Sequence, residues 1–71
     1  MQRRFEFVGG SSAKFWEVTA SGPSVTVRFG RLGTEGQSQS KKLGDADAAT
    51  RHAEGLVRQK LAKGYVETNA S

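Results

Sequence analysis

The chain has 71 residues, with eleven Lys and Arg against seven Asp and Glu for a net charge of +4, one histidine and no cysteine. That length allows one domain with a small core and excludes a large enclosed active site. The absence of cysteine excludes disulfides and thiolate metal sites, a single histidine leaves a metal short of ligands, and the positive excess favours a polyanionic partner.

Met1-Gln2-Arg3-Arg4 has the basic start of a signal peptide, but Glu6 and then Gly9-Gly10-Ser11-Ser12 interrupt it before an apolar stretch develops. No segment approaches the roughly 20 apolar residues of a membrane span, so the chain reads as soluble, with a cytoplasmic location expected. A first strand is predicted over Arg3 to Val8, with Phe5 and Phe7 on one face and Arg4 and Glu6 on the other. The following glycine–serine stretch reads as a loop between strands. A second strand runs over about Ala13 to Ala20 and carries an aromatic on each side, Phe15 and Trp16. One of the two is expected to be only half covered, and Trp16 is taken as core. Ser21-Gly22-Pro23 is turn chemistry, because Pro23 cannot donate a ladder hydrogen bond.

The third strand, Ser24 to Phe29, alternates Val25, Val27 and Phe29 against Thr26 and Arg28. It leads into Gly30-Arg31-Leu32-Gly33-Thr34-Glu35-Gly36, whose three glycines suit a tight bulged hairpin with positive φ and Arg31 on display. A polar strand from about Gln37 to Leu43 has little to bury, as an edge strand should. Asp45 is placed to cap a helix and Asp47 to complement its dipole. Ala46, Ala49, Ala53, Leu56, Val57 and Leu61 form the predicted apolar stripe. Asp47 with Arg51 and Glu54 with Arg58 are spaced for i, i+4 ion pairs. Gly55 is expected where the helix approaches the sheet closely, Gly64 closes the helix, and Tyr65-Val66-Glu67 returns to the sheet. The single domain is assigned to residues 1–68, leaving 69–71 as a tail without structural signal.

Catalytic patterns do not fit. The G-x-x-G-x-x-G spacing of Gly30, Gly33 and Gly36 is neither a Walker loop nor a dinucleotide fingerprint, and a strand follows it in place of a helix N-terminus. Gly30-Arg31-Leu32-Gly33 matches the loop of a KH domain in letters, but that loop joins helices. His52 is expected on a solvent-facing helical position, and no carboxylate pair sits in an apolar run that would raise its pKa. A non-enzyme without cofactor or metal is the expectation.

From about Lys14 to Glu67 the chain resembles the WGR domain, named for a Trp-Gly-Arg tripeptide that falls at Phe29-Gly30-Arg31 here. The segments carrying the resemblance are Lys14-Phe15-Trp16-Glu17-Val18, Val27 to Gln37 with its Gly-Arg-x-Gly-Thr-x-Gly-Gln core, Ala49, and Lys60-Leu61-Ala62-Lys63-Gly64-Tyr65. The resemblance implies an α+β fold, a small antiparallel sheet of four to five strands with one helix on one face. Similar domains in DNA-dependent poly(ADP-ribose) polymerases help bind DNA breaks, the motif aromatic packing on a terminal sugar and the arginine bridging to neighbouring domains or DNA. Others occur in bacterial proteins labelled molybdate metabolism regulators.

The resemblance therefore implies a non-catalytic module that recognises DNA ends or nicks. Phe29, Gly30 and Arg31 of the hairpin are the expected contacts, with Arg28, Lys41 and Lys42 as an adjacent basic surface, and a bacterial host would make it nucleoid-associated. The alternative is a module that docks a protein partner or a following domain, as the N-terminal part of a longer regulator. Phe29 replaces the tryptophan of the motif, keeping a ring but losing area and the indole N–H. Its alternation with Val25 and Val27 leaves three placements open: core, ligand contact, or both at once. Arg31 is read either as a ligand contact or as bonded to its own hairpin or Glu35.

Overall fold

The computed structural model describes residues 1–68, in the order β1 (Gln2–Gly9), β2 (Ser12–Ser21), β3 (Ser24–Arg31), β4 (Gln37–Lys42), α1 (Ala46–Ala62) and β5 (Val66–Thr68). The tail assigned to 69–71 lies outside the described residues. Short turns force the first strands into an antiparallel meander. Gly9 pairs with Ser12 and Ser21 with Ser24, so only Gly10-Ser11 and Gly22-Pro23 are left to reverse the chain. Helix α1 then carries the chain across the sheet to its far edge, where β5 pairs with β1 and gives the order β4-β3-β2-β1-β5. This is the α+β architecture expected, and the polar β4 is an edge strand.

Strand alternation sorts the core. Phe5, Trp16, Val18 and Val25 are buried together with Ala49, Ala53 and Val57 of α1, and Val27 and Phe29 pack at the margin. Cross-strand register aligns them, Phe5 with Trp16, Trp16 with Phe29, and Val18 with Val27. Asp45 caps α1 by accepting a hydrogen bond from the Ala48 N–H at 2.8 Å, and Gly64 beyond the other end adopts φ +98°.

Several expectations for the helix are corrected. Leu61 is 48% exposed. Each four-residue step turns a side chain about 40° around the axis, so by Leu61 the row begun at Ala49 has rotated about 120° away from the sheet. Lys60, eleven residues after Ala49, returns to within about 20° of its direction. Leu56 is only partly buried, Ala46 is exposed, and His52 is partly buried, not solvent-facing. Gly55 is not at a close approach, since a Cβ there would meet only the Arg58 guanidinium at 3.9 Å. Neither helical ion pair closes; among the described residues the ion pairs all lie in the sheet, three between strands and one, Arg4 with Glu6, within β1.

Phe15 also departs from expectation. It lies on the face away from α1, yet it is as buried as the core, at 1% exposure. Arg4, Glu17 and Arg28 are direct neighbours across β1, β2 and β3, and the carboxylate holds both guanidiniums. Arg28 donates to it through Nε and Nη2 at 3.1 and 3.0 Å, and Arg4 through Nη1 at 2.5 Å. The two guanidinium carbons sit 4.8 and 5.1 Å from the Phe15 ring centroid. Stacked arginines shed little hydration and cover apolar area, so an ionic lid does for Phe15 what a second layer would otherwise do.

Candidate functional site

The hairpin is built differently from a simple glycine loop. Past Phe29, β3 continues alone with β2, pairing Gly30 with Phe15 and Arg31 with Lys14, while β4 rejoins only at Gln37 opposite Phe29. Arg31 therefore stands at a strand end, not on the loop. The turn closes behind it, with the N–H and hydroxyl of Thr34 donating to the Arg31 carbonyl at 3.1 and 2.7 Å. Gly33 and Gly36 take positive φ, as expected of the hairpin, but Gly30 does not. Gly30 is required for proximity, because a Cβ there would lie 2.7 Å from the Gly36 Cα.

On the helix side of the sheet, α1 leaves the β3 and β4 end uncovered. The result is an open groove of about 900 Å³. Trp16, Val27, Phe29 and Tyr65 give it an aromatic and aliphatic floor, His52, Leu56, Gln59 and Lys60 form the helical wall, and Gln39, Ser40 and Lys41 form the β4 wall. Phe29 is half-buried, packing against the core cluster while facing this groove. It thus closes the core and remains open on one side.

Four cations from different elements reach the groove: Lys14, Arg31, Lys41 and Lys60. Among the described residues that line it, none is acidic. Lys14 and Arg31 are direct cross-strand partners on this side, an arrangement that costs stability because like charges repel at that separation. The Arg31 guanidinium and the Lys41 ammonium have no hydrogen-bond or ion-pair partner among the described residues. Lys60 Nζ sits 5.5 Å from the Trp16 ring centroid and 5.3 Å from that of Tyr65. Burial of its stem lowers the Lys60 pKa from the ordinary lysine value, with the charges of Lys63 and Lys14 acting in the same direction.

The expected contact residues divide between two faces. Phe29, Gly30, Arg31 and Lys41 line the groove. Arg28 and Lys42 alternate to the other face, so they do not join Lys41 in one patch. Arg28 is committed to Glu17 and also donates to the Glu35 carbonyl at 3.3 Å, which ties the hairpin loop to the sheet. The hydrogen bond from Arg28, opposed by burial and aided by Arg4, holds the Glu17 carboxyl below the usual range, and Glu17 in turn raises the Arg28 pKa. Lys14 and Lys60 are groove residues that were not among the contacts expected from the sequence. The eleven-residue offset of Lys60 from Ala49 was the signal available for one of them; Lys14 needed the strand register. Among the described residues, no group of His, Asp and Glu is placed to hold a metal ion, and no helix is long and apolar enough to cross a membrane.

Comparison with known proteins agrees with this fold. The chain is 40% identical over 65 residues to Protein YehF of Escherichia coli, covering 92% of this chain and 24% of that protein. It is 33% identical over 67 residues to the uncharacterized protein YfeS of the same organism, covering 94% of this chain and 28% of that one. The chain thus spans about a quarter of the length of these curated relatives. A crystal structure of a protein from Bacteroides fragilis superposes with a TM-score of 0.94 at 43% identity, covering 97% of this chain and 20% of that protein. A profile of the WGR domain matches residues 1–71, and the chain belongs to the WGR domain family, a nucleic-acid-binding type of module.

Proposed function

We propose that this domain binds DNA at strand ends or nicks, holding the terminus in the groove between α1 and the β3–β4 edge, without catalysis of its own. The observation that carries this reading is the juxtaposition of Lys14 and Arg31 across β2 and β3 beside Lys41 and Lys60, with no acid lining the groove. Such a cluster is unfavourable in the free domain and favourable once phosphates enter it. Phe29 supplies a ring face for a terminal sugar or base, while Gly30 keeps the backbone low enough for the hairpin to fold against it. Arg28 holds the loop from behind, and Lys42 adds long-range attraction from the other face. A DNA partner goes with a cytoplasmic location, at the nucleoid in a bacterial host.

The test is a titration with blunt, nicked and single-stranded DNA at two salt concentrations. Each phosphate contact should contribute about one unit to the slope of log affinity against log salt. Lys41→Gln should lower that slope by about one unit and Lys42→Gln should leave it nearly unchanged. Affinity for DNA that is absent or indifferent to salt would overturn the reading in favour of the docking alternative, a partner or following domain seated in the same groove.

A further inference from the structure

The groove holds more than a phosphate site requires. A cluster of cations on a flat surface suffices for backbone binding, whereas this groove has about 900 Å³ of space above an apolar floor, within the roughly 300–1,000 Å³ range of sites that take small organic groups. Its two walls each present a glutamine, Gln39 from β4 and Gln59 from α1. Each primary amide carries both donors and an acceptor, and among the described residues neither makes a side-chain hydrogen bond. Ring face below, amides at the sides and cations at the rim together match one kind of occupant. A nucleobase has a π-face, an edge of donors and acceptors, and a phosphate on either side.

Building on the proposed end binding, we infer that the groove seats an unpaired nucleotide at the end of a duplex, so that the preferred ligand is a DNA end with a single-stranded overhang. The base lies on Phe29 with its edge toward Gln39 and Gln59, and the flanking phosphates meet Lys14 with Arg31 on one side and Lys41 or Lys60 on the other. Paired bases do not fit this role, because their edges are already occupied by their partners and have nothing to offer Gln39 and Gln59. An unpaired base gives a role to the amides and to the depth of the groove, which contact with a terminal sugar alone leaves without one.

The experiment compares four probes at one salt concentration: a blunt duplex, the same duplex with a two-nucleotide overhang, that overhang with both bases replaced by abasic sites, and a closed dumbbell with one internal unpaired nucleotide. The overhang should bind about 5- to 150-fold more tightly than the blunt end, the range that corresponds to one base stacked on an aromatic side chain. The abasic overhang should lose that gain while keeping its phosphates. Gln59→Leu, a change at an exposed helical position, should reduce the ratio of overhang to blunt-end affinity, because only the unpaired base offers a free edge to the amide. Equal affinity for overhang and blunt end would overturn the inference with end binding intact, as would a gain that survives base removal. Equally tight binding to the dumbbell would overturn the assignment to ends. Failure to bind any of the four would instead remove the DNA reading on which the inference rests.

Discussion

Two glycines in the hairpin, three residues apart, should respond very differently to alanine. Gly33 has φ +88° and no neighbour within 4 Å of the place a Cβ would occupy, so Gly33→Ala meets backbone strain alone. Strain in the left-handed region costs about 1 to 2 kcal/mol, offset in part by the lower entropy of the unfolded alanine chain. Gly36 has φ +70° and therefore carries the same strain, but its Cβ would also overlap the Phe29 carbonyl oxygen and approach the Phe29 carbonyl carbon and the Phe15 ring to 2.8 Å. A backbone carbonyl in a ladder cannot rotate away, so the loop must lift. Lifting removes cover from Phe15, whose full burial is worth about 1.5 to 3 kcal/mol, and loosens the Arg28 contact with the Glu35 carbonyl. Gly36→Ala should thus cost about 3 to 5 kcal/mol in all, against a total of about 4 to 10 kcal/mol for a domain of this size. Urea unfolding followed by the fluorescence of Trp16, the single tryptophan and a core residue, measures both variants. Equal losses at the two positions would refute the overlap argument.

Truncating Phe29 to alanine should cost about 1.5 to 3 kcal/mol of stability, less than the loss for a fully buried ring, and also weaken DNA binding; loss of only one property would show that the ring does not serve both. Val57→Ala should destabilise by about 1.5 to 3 kcal/mol while Leu61→Ala stays near half a kcal/mol in the same unfolding assay. Gly55→Ala should stabilise by up to about 1 kcal/mol, since helix propensity improves and no neighbour obstructs the added methyl. The Glu17 carboxyl has a lower pKa folded than unfolded, so the folded state binds fewer protons. Its contribution is full above the ordinary glutamate value of about 4.3 and is lost as pH falls through the lower folded value. The stability gap between the parent and Glu17→Gln should accordingly be widest near neutral pH and shrink in acid, as urea midpoints across pH 7 to about pH 3 would report.

The sequence by itself determined the elements and their connections, because those depend on neighbours a few residues away. Alternation in Val25, Val27 and Phe29, turn chemistry at Gly22-Pro23, the Asp45 cap and the polar run of β4 act through local backbone preference, and each is found where that preference puts it. The positive φ of Gly33 and Gly36 was legible for the same reason, whereas Gly30 and Arg31 continue β3 because they pair with Phe15 and Lys14. Burial of Phe15 was not legible, since it requires Arg4 and Arg28 to flank Glu17 across three strands, a row created only by register. Register likewise set Lys14 against Arg31, and alternation within β3 and β4 then separated Arg28 and Lys42 from Phe29 and Lys41. The helix required its position as well as its pattern: rotation of about 40° per four residues turned Leu61 outward and brought Lys60 over Trp16. The groove exists because α1 covers one part of the sheet and leaves another open, and that placement is decided by packing between segments far apart in the chain.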